Sequence, residues 1–541
     1  MRKSLPWGMS LLDLFCPVTQ ERKLVTYRFF ILFLTFSTYV CFHMSRKPIS
    51  VVKPVLANCT RDPVTGGILP NGTCTSDFIT QFNGKGEDIL WLEGILDGIY
   101  LMSYAGFMFI SGILAERINL RYFLALGAIF SGLFTYAFGV GRYWGFKSFY
   151  YYAFVQFLGG AFQSTGWPGV VTVVANWFGK AKKGLIFGIW NSHTSIGNIL
   201  GSTIAAAFVN DNWGLSFIVP GMIIAGMGFL LWLFLVPHPA DVYLDVDIQE
   251  SSQLQDSTHD TYSPVEKESS PLLDDDYYGP RERRGLGYQS VDSSPTTERN
   301  EHAMLAPVET EEKPIGFLDA VKIPGVIEFS LCLFFAKLVS YTFLYWLPTF
   351  IKDNGHNIKT DTAALLSTLF DVGGIFGGVI AGLASDYSGK SATTCAVMLV
   401  FAIPVMLTYE AFGSQCHLDM NKNDHCYTGN ISLLILVGLL VNGPYALITT
   451  AVSAQLGRHP SIGHNSMALA TVTSIIDGTG SVGAAVGPLL AGTIHGIKNT
   501  FWMLVIADIL ALVLLSRLVV NDIKIWREDT RRSQSENMLN D

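Results

Sequence analysis

Several charged side chains of this 541-residue chain stand inside long apolar runs, where a charge needs a reason. Arg46 and Lys47 lie about 20 residues into the first run, close to a full membrane crossing. A guanidinium can grip a phosphate through two parallel hydrogen bonds; alternatively, long basic stems can snorkel to a membrane surface. Lys337 stands deep in a second run and can serve an anion or neutralise a buried acid such as Asp371 or Asp477. Each of those acids can in turn hold a cation in an empty site and release it to a substrate, or be purely structural. Tyr39 precedes Arg46 by seven residues, two helical turns on one face, and Tyr341 follows Lys337 by four. Either hydroxyl can bond a ligand, or either ring can simply pack. His193 follows Trp190 and Asn191; its imidazole can bond an anion and titrate near neutrality, or sit satisfied in a core. Trp167 and Asn191 are further pocket candidates. The sequence has no nucleophile–base pairing, metal-ligand spacing or phosphate-binding loop, so no enzyme, cofactor or metal site is expected.

The elements that must position these residues are legible in composition. Half the residues are hydrophobic and 15% are charged, with 52 glycines and 36 phenylalanines. A chain that apolar does not fit a soluble, disordered, disulfide-rich secreted or nucleic-acid-binding class. Twelve runs are long enough to cross a bilayer as helices, the spanning structure that leaves no backbone group unpaired. They cover about 25–48, 89–114, 121–141, 148–176, 184–208 and 213–237, then 324–350, 362–386, 391–412, 431–456, 465–493 and 498–520. The expectation is an all-α membrane protein of two six-helix halves, 25–237 and 324–520, with no cleavable signal peptide. A cytoplasmic N-terminus (1–24), a lumenal loop (49–88), a cytoplasmic linker (238–323) and a cytoplasmic tail (521–541) complete the plan.

Sidedness follows from charge and sequons. Basic residues cluster after even-numbered runs, at Arg117, Arg121, Lys180, Lys182, Lys183 and Lys390, and in the tail at Lys524, Arg527, Arg531 and Arg532. The glycosylation sequons at Asn58, Asn71 and Asn430 all fall in odd-to-even loops, which places those loops on the lumenal or extracellular side. Cys59 and Cys74 share one of these loops, and Cys416 and Cys426 the other; each pair can form a disulfide in an oxidising compartment. Cys16, Cys41, Cys332 and Cys395 read as cytoplasmic or buried thiols. The net charge of −8 is concentrated: Asp241 to Lys313 holds 18 acidic and 6 basic residues and is rich in Ser and Pro, which reads as disordered. Within it, Glu268-Ser-Ser-Pro-Leu272-Leu273 fits an acidic dileucine sorting pattern, or is plain solvated linker.

The halves echo each other. The second run ends Gly112-Ile-Leu-Ala-Glu116-Arg117-Ile-Asn-Leu-Arg121, and the eighth ends Gly382-Leu-Ala-Ser-Asp386-Tyr-Ser-Gly389-Lys390. A glycine allows a close helix contact, and the acid four residues on can hold a neighbouring helix end through a charge pair or its dipole. Such a contact can break and reform as halves rock. Gly166-Trp167-Pro168 in the fourth run has a counterpart in Gly443-Pro444-Tyr445 of the tenth. Interrupted helices at corresponding places point to a central transport site, although most such glycines serve packing alone.

Six plus six spans, a linker and the paired loop motif resemble the major facilitator superfamily. Within it the chain resembles the sugar-phosphate exchangers, the solute-carrier family that includes the glucose-6-phosphate transporter of the endoplasmic reticulum, and is nearest the longer vertebrate members. The resemblance is carried by His43-Met-Ser-Arg46-Lys47-Pro48, Gln163-Ser-Thr-Gly166-Trp167-Pro168, Gly188-Ile-Trp190-Asn191-Ser-His193-Thr, Phe335-Ala-Lys337-Leu-Val-Ser-Tyr341, Leu369-Phe-Asp371-Val-Gly-Gly and Ile476-Asp477-Gly-Thr-Gly480. It runs through both halves but not the linker or termini. It implies phosphate binding at Arg46 and Lys47, and a substrate role for the tyrosine at 39. Three departures stand out. The family's cation in the seventh span precedes a tryptophan by six residues; here Lys337 precedes Trp346 by nine and Ser340 takes the expected place. Three residues are nearly one turn, so Lys337 can point to the same face at another depth. Several relatives carry a lysine four residues before the loop-motif glycine, where this chain has Met108. Bacterial phosphate-ester exchangers have a histidine one position after that of His193.

The resulting expectation is an antiporter exchanging a sugar phosphate for inorganic phosphate by rocking of the two halves. The alternatives are a transporter of another organic anion, or a non-transporting scaffold or sensor that uses the acidic linker. Expected partners are membrane lipid and small-molecule substrates, with no nucleic acid. The resemblance implies the endoplasmic reticulum membrane; endosome, lysosome or plasma membrane are the alternatives.

Overall fold

A computed structural model describes residues 6–10, 20–56, 58–59, 73–75, 84–178, 189–242, 244, 316–354, 358–415, 425–457, 468–494 and 496–540. Residues 245–315, which hold most of the acidic linker, and Lys180, Lys182, Lys183, Gly188, Asn71, Cys16 and Cys416 lie outside them. The described helices belong to one compact unit, Met1–Leu244 with Lys313–Asp541. Among the described residues, ten helical stretches are long and apolar enough to cross a membrane, by length and composition.

The first half is built from α1 (Gln20–Arg46), α2 (Pro48–Leu56), α3 (Gly86–Ala115), α4 (Leu120–Tyr143), α5 (Phe149–Gln163), α6 (Gly166–Phe178), α7 (His193–Val209) and α8 (Leu215–Phe234). A short α9 (Phe317–Val321) leads into the second half: α10 (Val326–Asn354), α11 (Thr360–Ser388), α12 (Ser391–Gln415), α13 (His425–Leu447), α14 (Ser453–Leu456), α15 (Ala468–Thr493) and α16 (Ile497–Asn540).

Several boundaries differ from the sequence reading, each for a local reason. The first span does not end near residue 48. Pro48 starts α2 at a first-turn position that needs no N–H, and the helix runs on to Leu56 with Lys53 buried. The expected loop from 49 therefore begins with a buried helix. Further along it, three two- or three-residue strands, β1 (Asn58–Cys59), β2 (Thr73–Thr75) and β3 (Gly84–Lys85), pair antiparallel in that order. The fourth span divides after Gln163. Pro168 has no N–H to offer the Ser164 carbonyl, which instead accepts a bond of 3.0 Å from the Ser111 hydroxyl of α3. The tenth span passes through Pro444 and then widens into a π-helical turn, Ile448–Val452, where Ser453 Oγ donates to the Ile448 carbonyl at 2.7 Å. The last span continues as one helix to Asn540 through most of the expected tail.

The halves pack through α3 against α15, α7 against α11, and α2 against α10. Small residues set how close they come. A Cβ on Gly112 would lie 2.2 Å from Ser474 Oγ, and one on Gly483 would lie 1.9 Å from the Phe334 carbonyl oxygen. The first contact brings α3 onto α15 across the two halves; the second brings α15 onto α10 within one half. Without water to drive association, such backbone-to-backbone fit is a large part of what holds membrane helices together. Gly483→Leu is expected to leave little monodisperse protein on size-exclusion chromatography in detergent. Overpacking costs about 1–3 kcal/mol or more, and here backbone itself blocks the space. Gly106→Leu, with nothing within 4 Å of its added Cβ, should elute like wild type. A normal peak for Gly483→Leu would contradict this packing.

Candidate functional site

The helix break after Gln163 puts that side chain into the middle of the first half, where it fixes Arg46. Gln163 Oε1 accepts hydrogen bonds from Arg46 Nε and from the Tyr100 hydroxyl. Its amide nitrogen donates to Ser45 Oγ at 3.0 Å and to Ser131 Oγ at 3.2 Å. With both ends of the amide engaged, the guanidinium has one orientation. Arg46 Nη1 donates to the Tyr341 hydroxyl of the other half at 3.1 Å, and the guanidinium lies 4.4 Å from the centroid of the Tyr104 ring. Nη2 has no hydrogen-bond partner. Arg46 is only 4% exposed, so it does not snorkel. Among the described residues no carboxylate pairs with it; its neighbours are an amide, a phenol and an aromatic face.

Arg46 faces a small cavity between the halves, which Tyr39, Tyr104, Trp167, Lys337, Tyr341 and Asp477 also line. Lys337 is 2% exposed, with Nζ 2.6 Å from Asp477 Oδ1 and 3.3 Å from Ser481 Oγ. The lysine thus reaches the same cavity as Arg46 and is paired there with an acid. Tyr445, next to Pro444 in α13, sets its ring 5.4 Å from Lys337 Nζ.

The other expected residues divide between lining and support. Lys47 does not line this cavity. It turns towards α10 and donates to the Leu344 carbonyl at 2.8 Å. His193 also stands behind the wall. Its ring centroid lies 4.4 Å from Trp190 and 4.7 Å from Tyr39, and Nδ1 is 3.2 Å from the hydroxyl of Thr194, the residue that reaches the cavity. Asn191 and Asp371 line a neighbouring chamber rather than the arginine pocket. Met108, where relatives carry a lysine, is fully buried in α3.

The loop motifs behave unequally. Glu116 Oε1 accepts from the Thr471 N–H at 3.0 Å and its hydroxyl at 2.7 Å, in the first turn of α15. It thereby caps a free helix N–H and complements the positive end of the dipole across the two halves. Burial raises the Glu116 carboxyl above its ordinary range, against the lowering effect of those two bonds. Arg117 is exposed, while Arg121 Nη2 donates to the hydroxyl of its neighbour Tyr122 at 3.2 Å. In the second copy Gly382 is buried, Asp386 is exposed, and Gly389 closes α11 in a left-handed conformation before Lys390. The helix end that would correspond to that of α15, residues 179–188, lies outside the described residues.

Sequence reasoning missed a second buried ion pair. Lys53 of α2 pairs with Asp97 of α3, donates to the Tyr345 carbonyl at 3.4 Å, and sits 4.2 Å from the Trp346 ring centroid. The early end assigned to the first span placed Lys53 in a loop. The available signal was Asp97, an acid in mid-span. Gln163, Tyr100 and Tyr104 were also missed; the last two share a helix face at a spacing of four.

Among the sequons, Asn58 opens β1 and Asn71 is outside the described residues. Asn430 lies inside α13 at 5% exposure, so the expected loop site is a helix position with no room for a glycan in this conformation. Cys59 and Cys74 are direct backbone partners in the β1–β2 register, and Cys426 is the second residue of α13. Cys41, Cys332 and Cys395 are buried free thiols.

Comparison with known proteins places this architecture. The Major Facilitator Superfamily model matches residues 78–461 and 329–537. The glucose-6-phosphate exchanger SLC37A2 of Danio rerio is 49% identical over 537 residues, covering 98% of this chain and 99% of its own. That of Homo sapiens is 48% identical over 511 residues, covering 94% and 95%, and the human glucose-6-phosphate exchanger SLC37A1 is 44% identical over 531 residues, covering 91% and 93%. A solved bacterial homologue of the human lysosomal transporter Spinster, inward-facing and unoccupied, shares the fold with a TM-score of 0.53 at 14% identity, covering 92% of this chain and 98% of its own. The chain is therefore a multi-pass membrane protein of the major facilitator superfamily and belongs, within it, to the glucose-6-phosphate exchanger family.

Proposed function

We propose that this protein is an antiporter that exchanges a sugar phosphate of the glucose 6-phosphate type for inorganic phosphate. The names of its relatives give the substrate class. The observation that carries the reading is Arg46, a buried cation with a free Nη2 and no counterion among the described residues, facing a cavity between the halves. Burying an unpaired charge is costly, and a phosphate supplies both the charge and the paired acceptors that a guanidinium fork fits.

Lys337 is the second ligand. Asp477 holds its ammonium in a buried ion pair. An arriving phosphate competes with that carboxylate for the ammonium, so binding loosens a contact between α10 and α15 while it adds one to Arg46 of the other half. The ligand thus interacts differently with the empty and the loaded arrangement, which is what shifting a conformational equilibrium requires. Rocking about this site exposes it alternately to either side of the membrane. The empty site resists the change because it would carry an uncompensated arginine through it, so net flux gives way to exchange. Inter-half contacts flank the site: Glu116 with Thr471 towards one end, and Lys53 with the α10 carbonyl towards the other. In this reading the Glu116 end is cytoplasmic, the α2 end lumenal, and the protein resides in the endoplasmic reticulum membrane or a later compartment of the secretory route.

Purified protein in liposomes loaded with phosphate should take up labelled phosphate and labelled glucose 6-phosphate. Arg46→Ala should lower both exchanges about a hundredfold or more, within the scale of about 2–5 kcal/mol for removing one partner of a buried charged contact. Uptake at wild-type rates would overturn the assignment. Asp477→Asn should act in another way. It frees Lys337 to hold the anion, so KM and the maximal rate should fall together; a raised KM would contradict the competition between Asp477 and phosphate.

A further inference from the structure

Beside the arginine pocket lies a second chamber, and His43, Thr194, Tyr341 and Tyr445 line both. Their chemistry differs. The arginine pocket has two cations; among the described residues no lysine or arginine lines the chamber. Its polar groups come from both halves: Ser195 and Asn198 on α7, Ser340 on α10, Asp371 on α11 and Asn442 on α13.

These groups are arranged, not merely present. Asn198 Nδ2 donates to Asp371 Oδ1 at 2.8 Å, and Ser340 Oγ donates to Asn442 Oδ1 at 2.6 Å. Asp371 is 2% exposed, and its second oxygen, Oδ2, has no hydrogen-bond partner. Gly374 keeps the space open: a Cβ there would lie 2.8 Å from Asn442 Nδ2 and 2.9 Å from Ser195 Oγ. Lys47, behind the wall, partly offsets the Asp371 charge but does not line the chamber; the free carboxylate oxygen that does face it accepts a hydroxyl and offers a phosphate no donor. Amides and hydroxyls around it can serve groups that both donate and accept. An alkyl phosphate would leave these groups desolvated and unpaired, which is the costly case.

We propose that this chamber is the subsite for the hydroxyl-bearing body of the organic phosphate, with Asp371 Oδ2 and Asn442 as the groups that select a polyhydroxylated ester. The proposal rests on the exchanger reading and deepens it. The bound ester then has one orientation: phosphate towards Arg46 and Lys337, hydroxyls towards α7, α11 and α13. Inorganic phosphate uses the arginine pocket alone and leaves the chamber to water. Selection between the two exchanged substrates therefore resides in residues distinct from those that hold the phosphate.

The test compares two fluxes in the same phosphate-loaded vesicles: labelled phosphate, and labelled glucose 6-phosphate. Two variants on different helices are used, Asn442→Ala to remove a polar partner and Gly374→Ser to narrow the chamber. Both should keep phosphate self-exchange within about twofold of wild type while kcat/KM for glucose 6-phosphate falls about tenfold or more, the scale of losing a contact to a substrate hydroxyl. Phosphate self-exchange also reports that each variant is folded. Equal losses in both fluxes, or unchanged glucose 6-phosphate uptake in both variants, would overturn the subsite. Wild-type vesicles that exchange phosphate but take up no glucose 6-phosphate would overturn the exchanger reading, and the subsite with it, before any variant is examined.

Discussion

A guanidinium buried between two helical bundles, with no acid paired to it among the described residues, is the constraint around which the rest of this molecule is arranged. Arg46 cannot reach water and cannot lose its proton at any relevant pH. The fold stabilises it with partial charges: the Gln163 amide oxygen, the Tyr341 hydroxyl and the face of Tyr104. Each of those groups is itself held. Gln163 is anchored at both ends, and the loss of a helical hydrogen bond at Pro168 frees the Ser164 carbonyl that Ser111 then satisfies. Proline in the fourth span, serine in the second and arginine in the first are thus parts of one arrangement.

The second constraint is that charge must be moved without being stranded in hydrocarbon. Lys337 and Asp477 meet it as a pair at the site, and Lys53 and Asp97 meet it as a pair towards one end. Breaking either pair by removing one partner leaves a buried charge uncompensated, so both are strong determinants of which arrangements of the helices are accessible. Glu116 acts differently. It binds a helix end through neutral donors, an attachment that water can replace when the ends part. In the proposed exchange, two buried pairs, a weak cap and an unpaired arginine would limit the halves to a small number of relations.

Much of this was legible in the sequence because hydrocarbon makes polar residues conspicuous. Arg46, Lys337 and Asp477 stood out as charges within apolar runs, and the pairing of Lys337 with Asp477 was one of the alternatives open to it. The six-plus-six plan followed from run lengths, and the Glu116 motif from its echo at Asp386. What was not legible depended on where a helix stops and which way a long side chain turns. Pro48 read as an end but begins a second helix, which carried Lys53 into the core. Lys47, adjacent to Arg46, stands in the bend between α1 and α2, where the chain turns it away from the arginine pocket to donate to a carbonyl of α10 and to act on the charge of Asp371. His193 was recognisable as unusual, yet Thr194 beside it is the residue that lines the cavity. Neutral residues such as Gln163 and Asn442 carry no anomaly in composition, so only their three-dimensional company reveals them.

The most direct test of the central claim, that the halves move past the buried arginine only when an anion accompanies it, is efflux from wild-type vesicles preloaded with labelled phosphate. Diluted into a medium without transportable anion, the label should stay inside; adding phosphate or glucose 6-phosphate outside should release it rapidly. Equal release into both media would show that the empty site crosses freely, and would contradict the account.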